Sequence, residues 1–130
     1  MLTWVVIGVG DITSKRVLPA ILTEERSRLA GIVTRDPAKA VPYSVPAFTT
    51  LEAALGESEA AAVYVASPVL LHAPQSIAAL AAQRHVLCEK PMAMNLAEAE
   101  RMVAVAARAA VPSASPTIVA RTPRSIAPWN

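Results

Sequence analysis

Four short runs of β-branched and aliphatic residues, Leu2–Val9, Leu29–Thr34, Ala61–Ala66 and His85–Glu89, recur along the chain at intervals too long for hairpins. Each run is nearly unbroken rather than alternating. That is the pattern of a strand covered on both faces, as parallel sheets require. Segments with helical character lie between the runs. Strands and helices in alternation, joined by right-handed crossovers, predict an α/β fold built on a doubly wound parallel sheet.

The intervening segments carry their own stop and start signals. Ile12 to about Thr23 reads as a helix, although Pro19 inside it removes a backbone bond and conflicts with a regular one. Residues 37–50, with Pro37, Pro42 and Pro46, read as an irregular connection with a helical turn near Ala38–Val41 and a short strand at Ala47–Phe48. Thr49 and Glu52 form a capping-box pattern for a helix through Leu55, ended by Gly56. A helix over Ala73–Gln83 would open at Pro74, where a first-turn proline is tolerated. Asn95 with Glu98 caps a last helix from Leu96 to about Ala110. At Val111 the character changes: the final residues hold four prolines, no glycine and no acid.

Composition narrows the function classes. With 54% hydrophobic residues and a mean hydropathy of +0.41 the chain has ample apolar surface to fold, which excludes disorder. Of its 130 residues 27 are alanine and five are aromatic, so the core rests on Val, Ile and Leu. The length suits one domain, or part of something larger. Residues 1–110 are charge-neutral and the net +2 comes from Arg121 and Arg124. No basic face with interleaved aromatics points to nucleic acid. Ala60–Gln83 lacks charge, but Ser67, Pro68, His72, Pro74 and Gln75 interrupt it, so it reads as strand, turn and helix and not as a membrane span. Leu2–Val9 has no basic region before it and Asp11 follows at once, so it reads as a buried strand before a signal peptide. A lone cysteine excludes an internal disulfide and suits a reducing, cytoplasmic setting.

In a doubly wound sheet, ligands bind beyond the carboxyl ends of the strands, so four turns hold the candidate chemistry. Gly8-Val9-Gly10-Asp11-Ile12-Thr13 follows a strand and opens a helix, the context of a dinucleotide fingerprint. Gly8 would permit the tight turn and Gly10 the approach of a pyrophosphate, met by N–H groups of Asp11 and Ile12 at the helix start. Thr13 replaces the third small residue, and the bland alternative is a plain strand-to-helix turn. Thr34-Arg35-Asp36 stands where an acid would hold the ribose of NAD; Thr34 and Arg35 instead suit a 2′-phosphate and favour NADP. The bland alternative is that Asp36 simply caps the turn at Pro37 and Arg35 is a solvated charge. Ser67 and Pro68 would line the nicotinamide side, with His72 donating at the mouth or serving only as a capping residue. In Cys88-Glu89-Lys90-Pro91, Lys90 would point into the cleft with Glu89 beside it, while Cys88 reads as a buried strand residue.

These four segments, Val5–Ile12, Val33–Pro37, Tyr64–His72 and His85–Pro91, resemble in order and spacing the N-terminal half of the glucose-fructose oxidoreductase, inositol dehydrogenase and MocA (Gfo/Idh/MocA) family. The resemblance spans about residues 3–110, and Glu89-Lys90-Pro91 is its most specific element. It implies a Rossmann domain binding NAD or NADP, with hydride exchanged with a carbon of a sugar, polyol or related substrate. It makes Lys90 the catalytic lysine and implies cofactor contacts from Gly8, Gly10, Asp11, Ile12, Thr34, Arg35, Ser67, Pro68, His72, Glu89 and Lys90. Val69 departs from the asparagine the family often has after Ser-Pro. The family also continues into a C-terminal α+β substrate domain, which is expected to be missing here.

The expected organisation is therefore a Rossmann domain over 1–110 and an atypical tail over 111–130. From about Pro112 the tail is expected to be out-of-frame translation, because a reading one base earlier can yield the family's aromatic and arginine-bearing continuation; a natural short variant is the alternative. The sixth strand of the sheet would then be weak, with Thr117–Ala120 as its substitute. Expected partners are a nicotinamide dinucleotide, a sugar or polyol in the full-length family and a possible second copy of the chain, but no nucleic acid, membrane or metal. The competing readings are the cofactor half of an oxidoreductase and a non-catalytic nucleotide-binding module.

Overall fold

Side chains alternate across the central strand: Val5 and Ile7 of β1 (Leu2–Ile7) face one layer and Val6 the other, all three buried. This is the period-two geometry of a strand that must cover two cores at once. The computed structural model describes residues 1–109 and, for the backbone alone, 118–121. Along the chain β1 is followed by a π-helical segment (Thr13–Val17), α1 (Leu18–Thr23), β2 (Ser27–Val33), a 3-10 helix (Pro37–Tyr43), β3 (Ala47–Phe48) and α2 (Leu51–Glu57). Then come β4 (Ala62–Val65), α3 (Val69–Ala81), β5 (His85–Glu89), α4 (Leu96–Arg108) and β6 (Ile118–Arg121). All strands are parallel, in the order β3-β2-β1-β4-β5-β6. The expected doubly wound sheet is therefore present, in the Rossmann order with its switch point between β1 and β4.

One layer packs α2, α3 and α4 on the sheet through Leu51, Ala54, Ala79, Leu80 and Met102. The other packs the π-helical segment, α1 and the 3-10 helix through Val17, Leu18, Ile21 and Ala40 against Val6, Leu29, Ile32 and Tyr64. Beside α1 a hollow of about 220 Å³ remains, lined by Trp4, Ile21, Tyr64 and Leu87 among others.

Several local expectations are corrected. Pro19 does not break the first helix, because a wider π-turn precedes it. There the Leu18 N–H reaches back to the Thr13 carbonyl, and the proline sits in the first turn of α1. The cap of α2 is Thr50, whose hydroxyl accepts from the Ala53 N–H at 3.2 Å; Thr49 lies one residue too early. Gly56 is inside α2, which runs on to Glu57. The third helix starts at Val69, so Pro74 lies within it. Asn95 caps α4 as expected, and the Glu98 carboxylate accepts from Met94 N–H at 2.9 Å. The expected tail lies outside the described residues except for β6, which pairs Val86 with Ile118 through to Glu89 with Arg121. A strand therefore does cover the outer edge of β5, one residue beyond the Thr117–Ala120 substitute.

Candidate functional site

The carboxyl ends of β1, β4 and β5 open into one cleft of about 410 Å³. It is lined by Gly10–Thr13, Ala66–Val69, His72, Glu89 and Lys90. These eleven residues come from three stretches of sequence that the sheet order brings to one place. Gly8 does not line the cleft; it makes the cleft possible. Its φ is +87°, and a Cβ there would stand 2.6 Å from the Ala66 carbonyl oxygen, so only glycine lets the end of β1 pass this close to the end of β4. Gly10 is the opposite case, with nothing within 4 Å of the position a Cβ would take.

The helix start beside Gly10 carries no side-chain cap. Its first backbone bond runs from the Ser14 N–H to the Gly10 carbonyl at 3.0 Å, which leaves the N–H groups of Asp11, Ile12 and Thr13 ahead of it at the cleft. The Asp11 carboxylate turns to Lys15 at 2.9 Å, on the surface. Open space over Gly10 and uncapped donors at a helix N-terminus fit a pyrophosphate.

At the end of β2, Asp36 is engaged in the turn: its carboxylate accepts from the Ala38 N–H at 3.1 Å and caps the 3-10 helix. The Thr34 hydroxyl accepts from the Asp36 N–H. Arg35 is exposed. Lys39, which the sequence reading passed over, reaches from the 3-10 helix to the Val9 carbonyl at 3.5 Å and sets a second cation beside the glycine turn. Its only signal in the sequence was its place one turn after Asp36. Thr34 and Arg35 stand outside the cleft proper, one strand away.

The β4 turn is braced from within. Ser67 donates to Gln75 of α3. His72 is 1% exposed, not at the mouth, and both of its ring nitrogens are engaged: Nε2 lies 2.7 Å from the Ser67 carbonyl and Nδ1 2.8 Å from the Pro91 carbonyl. A helix starting at Val69 rather than Ala73 rotates residue 72 toward the sheet, which overturns the mouth-donor expectation. Lys90 is exposed at the cleft, and no ion pair holds it among the described residues. Glu89 accepts from the Tyr64 hydroxyl across the sheet. Cys88 is fully buried, and burial pushes its thiol up to about 11; Ser76 opposes that shift and Glu89 adds to it. That thiol is a structural residue, not a nucleophile. No group of three or more potential metal ligands occurs among the described residues, and none of their helices is long and apolar enough to cross a membrane.

Comparison with known proteins gives a concordant picture. The profile of GFO_IDH_MocA, an oxidoreductase family with an NAD-binding Rossmann fold, matches residues 2–114. The 1,5-anhydro-D-fructose reductase of Ensifer adhaerens is 37% identical over 112 residues, which is 83% of this chain and 34% of the reductase. A 3-ketoreductase from Actinomadura kijaniata, solved with NADP and TDP-benzene, superposes with a TM-score of 0.77 at 34% identity, over 85% of this chain and 36% of that one. The WlbA dehydrogenase of Bordetella pertussis, solved with NADH and UDP-GlcNAcA, does so with a TM-score of 0.77 at 31% identity, over 85% and 34%. The chain thus spans about a third of the length of the relatives it matches.

Proposed function

The chain belongs to the Gfo/Idh/MocA oxidoreductase family, of which it is the NAD(P)-binding Rossmann part, and we propose that it serves an enzyme exchanging hydride with a carbon of a sugar, polyol or related substrate. The observation that carries this reading is the convergence, in one cleft at the sheet's switch point, of an uncapped helix start beside Gly10 with the Ser67-Pro68 turn and Lys90. The dinucleotide, when bound, supplies or accepts the hydride. Gly10 and the N–H groups of Asp11 and Ile12 hold the pyrophosphate, and Ser67 and Pro68 border the nicotinamide end. Lys90 directs its ammonium at the oxygen on the reacting carbon, where positive charge favours the oxyanion character that develops during transfer. Glu89, held by Tyr64, fixes the turn from which Lys90 projects. Thr34, Arg35 and Lys39 gather donors and two positive charges at the far end, which favours the 2′-phosphate of NADP over the free hydroxyl of NAD.

Titrating the chain with NADPH and NADH tests this. Tighter binding of NADPH is expected, and Arg35→Ala is expected to weaken NADPH about tenfold, the scale of one charge-assisted hydrogen bond, while sparing NADH. Failure to bind either nucleotide overturns the reading. Hydride transfer is then assayed over sugars and polyols: binding without turnover by the 130-residue chain assigns it the nucleotide-holding role alone.

A further inference from the structure

We propose that His72 is a positioning residue that joins the Ser67 turn to the Lys90-Pro91 turn as an imidazolium donating from both ring nitrogens. A neutral imidazole has one N–H and one lone pair. Here both nitrogens face carbonyl oxygens, Ser67 at 2.7 Å and Pro91 at 2.8 Å, and a carbonyl can only accept. A lone pair held that close to another lone pair is repelled, so both short contacts persist together only when both nitrogens carry protons. At 1% exposure the ring is shielded from bulk solvent.

The two carbonyls belong to the turns after β4 and β5, and the second directly follows Lys90. Loss of one proton therefore frees one turn relative to the other and alters where Lys90 projects. The ionisable groups around this latch are few. Asp11, Glu89 and Lys90 share the cleft with His72, and Cys88 is buried on β5 next to Glu89. On this side of the sheet the buried core includes Met102 from α4 and Leu51 and Ala54 from α2, with the uncharged Ser76 of α3 buried as well. The latch needs a proton on each ring nitrogen, so the ring with a single N–H holds only one of the two turns. The effect on hydride chemistry rests on the function proposed above; the latch itself rests on geometry alone.

Nitrogen-detected imidazole spectra of the labelled chain test it directly, since His72 and His85 are its only histidines. At the acid end two slowly exchanging ring N–H signals are expected from His72. One should vanish as pH rises, and the Met92 amide, which shares its peptide with the Pro91 carbonyl, should shift with the same midpoint. A single His72 N–H at every pH at which the chain stays folded, or a Met92 amide that ignores the transition, overturns the proposal. NADH affinity should weaken about fivefold across that midpoint and become independent of pH in His72→Gln; NADH is chosen because it has no 2′-phosphate of its own to titrate. A wild-type affinity without pH dependence overturns the positioning role. If neither nucleotide binds, the proposed function fails while the spectra still decide the latch, and they also decide it if His72→Gln does not fold.

Discussion

Gly8 and Gly10 stand two residues apart in one motif and do different jobs. Gly8 adopts a positive φ and presses against the Ala66 carbonyl, so Gly8→Ala must strain the backbone and push β4 away. We expect that substitution to cost about 1–3 kcal/mol in urea denaturation. Gly10→Ala meets no neighbour and should leave the denaturation midpoint nearly unchanged, yet it should weaken nucleotide binding because its methyl enters the space assigned to the pyrophosphate. Cys88 gives a second residue-scale expectation, with a definite sign. Its thiol ionises near 9.0 when unfolded and near about 11 when buried, so the native state holds its proton longer. The stability this lends is complete below pH 9.0 and declines as pH rises toward about 11. Denaturation curves across that window should show the decline, and Cys88→Ala should flatten it. A disulfide-exchange reagent should likewise react slowly with the native thiol and rapidly once urea is added.

At the scale of elements, helix starts are where sequence patterns and structure part. Thr49 with Glu52 and Thr50 with Ala53 are adjacent choices, and only the backbone decides which threonine has the extended conformation of a cap. Thr50 does, with φ −132° and ψ 153°. Thr50→Ala should therefore lower stability by about 1 kcal/mol, and Thr49→Ala should stay within about 0.5 kcal/mol, in the same denaturation measurement. The start of α3 at Val69 has a larger consequence, because it turns His72 inward and makes it a brace between turns. Likewise the π-turn at Thr13–Val17 absorbs Pro19 without ending the helix that begins at the cleft.

For the whole molecule, the strand order matters more than any single contact. Placing β4 on the far side of β1 from β2 opens the switch point, and the three turns meet there. The same order leaves β5 dependent on β6 for its outer edge. A chain ended after Ala109 loses that strand and exposes the backbone of Val86–Glu89, so it should scatter more light at equal concentration than the 130-residue chain. An unchanged scattering profile would show that β6 contributes nothing to solubility.

The strands and their parallel arrangement were legible in the sequence because unbroken β-branched runs have few other places to be buried, and β3 and β5 fall where the pattern put them. The glycine turn and Glu89-Lys90-Pro91 were legible because turn chemistry is local. What only the tertiary structure decided depends on where separate segments meet. Lys39 approaches Val9 across 30 positions of sequence, Tyr64 reaches Glu89 from the next strand, and His72 finds two carbonyls on two turns. None of these leaves a periodic or spacing signal, because each is set by the packing of elements and not by the residues beside it.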